Sequence, residues 1–179
     1  PFEGYSPQEL SRMIGLVLTD KTYAGGLRVR ELVALGRHPY SGFFGRLDEM
    51  DYGVVDRSLE QVGVAHKAEN YIAELSDGER QKVMIAKALA QECPVILLDE
   101  PTAFLDVVSR IEVINLLREL AAGGKTILVS THDMEQALQL ADRVWLLGQE
   151  EGFTSGDHRT MSRGGQIARY FRRGALRFE

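Results

Sequence analysis

The clearest hydrophobic pattern lies past the middle of the chain. Residues 95–98 are a continuous apolar run, Val-Ile-Leu-Leu, ending in Asp99-Glu100, the pattern of a strand buried on both faces of a parallel sheet. Helical periodicity follows over 107–122, with Ile111, Ile114 and Leu117 on one face and Gly123-Gly124 as the stop. A second buried strand is predicted over 126–130, a short helix over 134–140 and a third strand over 144–147. Strands alternating with helices predict a right-handed parallel α/β layer.

The first half reads as mostly helical. A short apolar strand is predicted over 13–18 and turn residues fill 23–26. Val29, Leu32, Val33 and Leu35 mark a short helix closed by Gly36, and 37–40 reads as a turn. Two longer helices are predicted, over 48–61 (ended by Gly63) and over 77–91. The last thirty residues are basic and weakly patterned, with a helix over 166–172. No repeat and no Pro/Gly/Ser-rich linker divides the chain.

Composition narrows the class. The 179 residues are 44% hydrophobic and 26% charged, an ordinary globular balance. Cys93 is the single cysteine, which excludes a disulfide framework and a multi-cysteine metal site and fits a reducing compartment. No apolar run approaches the length of a bilayer span, so a membrane role has to come through a partner. A net charge of −5 supplies no basic field for nucleic acid. The chain opens on Pro1 rather than Met and is read as the interior of a longer protein.

Three pieces carry chemistry. In Leu75-Ser76-Asp77-Gly78-Glu79-Arg80-Gln81 a hydroxyl and a glycine stand where a helix begins; Ser76 is a good N-cap, Gly78 allows close backbone approach, and the free amides at the positive end of the helix dipole suit an anion. A plain capped helix start is the competing reading. Next, Asp99 and Glu100 end an apolar strand, where one carboxylate can bind Mg²⁺ and its neighbour can orient or deprotonate a water; ligands of open α/β sheets bind at that end of the strands. His132 follows the next strand, from where an imidazole can hydrogen-bond a phosphate. His38, His66 and His158 read as structural.

In this order and spacing, LSDGERQ, VILLDEPTAFLD and ILVSTHD closely resemble the ATP-binding cassette (ABC) ATPases over roughly residues 12–148. The resemblance implies an α/β, parallel-sheet, P-loop NTPase-like core with an inserted helical subdomain. It implies boundaries at 1–26 (end of the N-terminal core region), 27–92 (helical subdomain), 93–148 (core) and 149–179 (tail). It makes Ser76, Asp77, Gly78, Glu79 and Gln81 part of the signature motif, Asp99 the Mg²⁺ residue, Glu100 the catalytic carboxylate, 101–106 the D-loop ending in Asp106, and His132 the switch histidine. The implied ligands are ATP and Mg²⁺. The implied partners are a second cassette in a head-to-tail homodimer, transmembrane permease subunits and, indirectly, a periplasmic or lipoprotein binding protein, with no nucleic acid. The implied location is peripheral, on the cytoplasmic face of the membrane.

Two features depart from the family. A P-loop needs G-x-x-x-x-G-K-[ST] after a strand and before a helix. Gly124-Lys125-Thr126 has Glu119 in place of the first glycine and lies before a strand, so it is a decoy, and the true P-loop is expected before Pro1. The Q-loop glutamine position falls on Thr19, beside Asp20; a hydroxyl or carboxylate there can still coordinate Mg²⁺. Residues 29–40 and 43–47 resemble ATPases of iron-siderophore, haem and vitamin B12 importers; the segment itself reads as an amphipathic helix and an aromatic turn, either a groove for a permease helix or a satellite of the helical core. A non-transport ABC ATPase and an inactive cassette fragment are the alternatives. The chain by itself is expected not to bind ATP, because the P-loop amides and lysine that hold the phosphates would be lacking, and not to fold robustly, because a strand paired to residues 95–98 would be lacking too and would leave an open edge there.

Overall fold

The computed structural model describes residues 4–18, 26–41, 45–148 and 152–157. They fall into two compact units, residues 1–130 and 131–179, a boundary that no linker composition marks.

The first unit is built on a three-stranded parallel sheet of β1 (Ile14–Val17), β2 (Val95–Asp99) and β3 (Thr126–Ser130), in the order β1-β2-β3. The register aligns Ile14 with Val95 and Val95 with Thr126, and at the far end pairs Asp99 with Ser130. The expected open edge at 95–98 is therefore corrected: β2 is the central strand, paired on both sides, and among the described residues the sheet's edges are β1 and β3. Burial is also one-sided rather than two-sided. Val17, Ile96 and Leu98 are buried, whereas Leu16 on β1 is 52% and Leu128 on β3 is 40% exposed, because the described helices cover a single face.

Between β1 and β2 run α2 (Val29–Ala34), α3 (Glu49–Gln61) and α4 (Asp77–Ala90), and α5 (Val107–Ala122) joins β2 to β3. Helix α4 packs against α2, α3 and α5, burying Val83, Ile85, Ala86, Leu89 and Ala90 with Val29, Val33, Val55 and Leu59. The buried face of α5 is Val113, Leu116, Leu117 and Leu120; Ile111 lies outside it at 53% exposure. A helix absent from the sequence reading, α1 (Pro7–Met13), precedes β1. It is started by Ser6, whose hydroxyl accepts from the Glu9 amide, with Pro7 in the first turn.

Gly36 does not stop α2. The chain tightens into a 3₁₀ turn, Leu35–Tyr40, that runs through Pro39. Gly36 is buried, and a Cβ there would collide with the Lys87 carbonyl oxygen on α4. Arg37 then reaches into the protein with its side chain 7% exposed, bonding Asp51 Oδ1 (2.9 Å), Glu92 Oε2 (2.6 Å) and the Ala90 carbonyl (2.8 Å). The Tyr40 ring stacks on it at 4.1 Å while its hydroxyl donates to the Gln91 carbonyl. Gln91 in turn donates to the Ser11 and Ile14 carbonyls, tying the end of α4 to α1 and β1.

The second unit holds α6 (Met134–Leu140), β4 (Val144–Gly148) and β5 (Gly152–Gly156). The third strand of the predicted parallel layer is instead one arm of an antiparallel hairpin, β4 with β5. Val144 and Leu146 on its inner face pack on Met134, Leu138 and Ala141, while Trp145 and Phe153 meet edge to face at 5.9 Å. Among the described residues no helix is long and apolar enough to cross a membrane.

Arg37→Ala would leave Asp51 nearly buried without its cation, a change that typically costs about 3–5 kcal/mol. We expect a loss of that order in denaturant unfolding, and a loss under about 1 kcal/mol would show that the pair is not an internal one.

Candidate functional site

The carboxyl end of β2 concentrates the acidic chemistry. Register places Ser130 beside Asp99, and the Ser130 hydroxyl donates to Asp99 Oδ1 at 2.5 Å. The Glu100 amide donates to the Ser130 carbonyl (3.0 Å) and also meets its hydroxyl oxygen (3.4 Å). Ser130 thus fixes both acidic residues, a role the sequence reading missed; its position at a strand end opposite the Asp-Glu pair was the available signal. Glu100 has φ +45° and Phe104 has φ +63°, the left-handed region that costs a non-glycine residue roughly 1–3 kcal/mol and recurs at functional turns. The turn between them closes through the Ala103 amide on the Glu100 carbonyl (3.0 Å) and is anchored by buried Thr102 and Leu105. Among the described residues no three ligating side chains cluster into a metal cage. Asp99, an exposed hard-oxygen donor, fits an ion that takes its other oxygens from water and phosphate, which is the habit of Mg²⁺.

The second element is the start of α4. Ser76 is the N-cap: its hydroxyl oxygen accepts from the Glu79 amide (3.2 Å), and Glu79 Oε2 accepts from the Ser76 amide (2.9 Å) and hydroxyl (3.0 Å). Lys67 stands 3.4 Å from the other carboxylate oxygen. These bonds, the Ser76 amide first, hold the Glu79 carboxyl below its ordinary value. Asp77 is exposed and takes the Arg80 guanidinium at 3.1 Å. Gly78 is buried, but the space a Cβ would need is filled by Ser109 of α5, 2.5 Å away at Oγ and 2.7 Å at Cβ. The glycine at this position therefore answers to a neighbouring helix, a constraint that the sequence did not suggest. Gln81 is half-buried, and its Nε2 is buried without a hydrogen bond among the described residues.

Asp106 caps α5, accepting from the amides of Val108 (2.9 Å) and Ser109 (3.0 Å) and from the Ser109 hydroxyl (2.6 Å). The hydroxyl bond leads the causes that keep its carboxyl below the usual range. The structure thus joins the signature turn to the end of the 101–106 turn through one serine. His132 is exposed in the second unit; after it, Asp133 donates its amide to the Thr131 hydroxyl and caps α6 by accepting from the Gln136 amide, both at 3.0 Å. Thr19 and Asp20, Phe43 and Phe44, His158 and the basic tail lie outside the described residues. Lys125 donates to the Cys93 carbonyl (2.7 Å) at the amino end of the sheet, where Thr126 pairs with Val95. A structural tie at the end of the strands away from Asp99 agrees with its reading as a decoy.

The ABC transporter family model matches residues 2–103. An uncharacterised ABC transporter ATP-binding protein of Methanocaldococcus jannaschii is 45% identical over 79% of this chain and 49% of its own length. The achromobactin transport ATP-binding protein of Dickeya dadantii is 43% identical over 73% of this chain and 49% of its own. The ferric enterobactin transport ATP-binding protein of Escherichia coli is 38% identical over 83% and 54%. A solved metal-chelate type ABC transporter in an inward-facing conformation superposes with a TM-score of 0.84 at 31% identity, covering 89% of this chain and 64% of that one. The fold is the α/β, P-loop NTPase-like fold of ABC ATPases. This chain belongs to the ABC transporter family, and it spans about half the length of the curated relatives named here.

Two carboxylates at helix starts, Glu79 bonded to its N-cap Ser76 and Asp106 itself an N-cap, give a pH expectation. Glu79 and Asp106 are held ionised in the folded state, so their contribution to stability is complete at neutral pH and is lost as pH falls below about 4 and through the lowered folded values. Glu79→Gln should remove part of that acid sensitivity in urea titrations at pH 7 and pH 3. An unchanged slope would mean that the capping box carries no ionic component.

Proposed function

We propose that this chain supplies the signature turn, the Mg²⁺ aspartate and the hydrolytic carboxylate of an ATP-binding cassette that energises an importer of iron-siderophore or related metal-chelate complexes. One observation carries the ATPase reading: Asp99 and Glu100 end the central strand of a parallel sheet and are both held by Ser130, with Glu100 in a strained turn. The cargo class rests on the relatives, whose names include achromobactin transport, ferric enterobactin transport and cobalamin import.

The division of labour follows from the groups present. Glu100 orients the attacking water and takes its proton. Asp99 holds Mg²⁺, which when bound neutralises the charge of the phosphates. The Ser76 hydroxyl and the first amides of α4 offer donors to the terminal phosphate of the nucleotide on the facing cassette, and His132 serves as the switch histidine, an imidazole donor to a terminal phosphate. Two cassettes face each other head to tail in this reading, so the signature of this chain closes over a nucleotide held by the P-loop of the other. Residues 27–92 act as the helical subdomain and 93–148 as core, with Thr19 standing at the Q-loop position. Transmembrane permease subunits receive the motion at the cytoplasmic face, and a binding protein delivers cargo from the other side.

In the cassette assembly that carries this chain, Glu100→Gln should lower ATP turnover by about 10²–10⁴-fold while ATP binding persists, the loss typical of removing a general base. Near-normal hydrolysis by this variant would take Glu100 out of the base role.

A further inference from the structure

Gly78 is the second residue of α4, and its φ is not positive, so the backbone conformation does not call for glycine. Glycine is disfavoured inside a helix, and something else must favour it here. The position a Cβ would take is occupied: Ser109 Oγ lies at 2.5 Å, Ser109 Cβ at 2.7 Å, and the next atom is Ser109 Cα at 3.8 Å. A Cβ leaves Cα in one direction only, and that direction points into α5. Any side chain at 78 would meet the neighbouring helix before it met a ligand held by the amides at the helix start.

Ser109 cannot swing away freely. Its hydroxyl is bonded to Asp106 Oδ2 at 2.6 Å and its amide to Asp106 Oδ1 at 3.0 Å, so the cap of α5 fixes the side chain that touches Gly78. One turn further along both helices, Lys82 and Glu112 pair at 2.7 Å. Gly78 and Lys82 are four apart on α4, and Ser109 and Glu112 are three apart on α5, so both contacts lie on one pair of facing stripes.

Resting on the proposed function, we infer that Ser109 is a positioning residue for the nucleotide site. Pinned by Asp106 and seated on Gly78, it sets the spacing between the signature amides and the 101–106 turn that follows the catalytic carboxylate.

The test is a compensating pair, read by melting of this chain and by ATP turnover of the cassette assembly that contains it, at a temperature well below the melt. Gly78→Ala should lower the melting temperature. It should also lower turnover at saturating ATP and raise the ATP concentration for half-maximal rate, by roughly tenfold in kcat/KM, within the loss that sub-ångström misplacement of reacting groups produces. Adding Ser109→Gly removes both obstructing atoms and should return melt and turnover to within about threefold of the Ser109→Gly single variant. Adding Ser109→Ala should not, because the Cβ at 2.7 Å remains.

The inference is overturned if Gly78→Ala melts like the parent or if Ser109→Ala rescues as well as Ser109→Gly. It is equally overturned if the glycine pair restores the melt and not kcat/KM, since the Cβ would then be offending the nucleotide. Absence of turnover in the unaltered assembly would overturn the proposed function and the positioning role with it, and the melts would then decide the helix contact alone.

Discussion

Close approach to α4 is the constraint on which the first unit depends. At its carboxyl end the 3₁₀ turn comes in so tightly that a Cβ on Gly36 would collide with the Lys87 carbonyl oxygen and stand 3.2 Å from Ala90 Cβ; at its amino end α5 comes in on Gly78. Between these points the helix buries Ala86, Ala88 and Ala90 with Val83 and Ile85, so its neighbours sit near the backbone rather than on long side chains. A tightly packed interior transmits displacement instead of absorbing it. The position of the Ser76–Gly78 turn is therefore set by α5, and α5 is set by the seven-residue path from Asp99 to its cap at Asp106.

That arrangement explains where polar groups are placed. The buried Arg37 joins the 3₁₀ turn to Asp51 on α3 and to Glu92 just past α4, while Gln91 fastens the same region to α1 and β1. These bonds secure the carboxyl end of α4, leaving its amino end to be held by capping and by the α5 contact. Left-handed non-glycine backbone falls at Glu92, just past α4, and on the other side of the site at Glu100 and Phe104, where buried Thr102 and Leu105 hold the turn in place.

Much of this was legible in the chain. The apolar run 95–98 ending in two acids, and Ser76 three residues before Glu79, announce a strand end and a capped helix through short-range rules, and both are found. What was not legible depends on contacts between distant segments. The single-sided burial of the sheet and the central position of β2 follow from strand order, which periodicity does not encode. Residues 144–147 pair antiparallel because β5 lies beside them, and Phe153-Thr154-Ser155 is too short a pattern to announce that strand. The role of Ser109 arises only when two helices meet, so nothing local marks it; Ser130 carried one signal, its place at a strand end opposite the Asp99-Glu100 pair. Helix α1 was the avoidable miss, for Ser6, Pro7 and Glu9 form a full start signal.

The central claim is that the capped turn of α4 faces the terminal phosphate of a bound nucleotide. Trapping the assembled cassettes with Mg²⁺, ADP and vanadate, irradiating them and mapping the cut peptides tests this directly, because vanadate at the phosphate position cleaves the backbone that touches it. The account predicts cleavage of this chain within residues 76–78. Trapped complexes in which this chain stays intact there would contradict it.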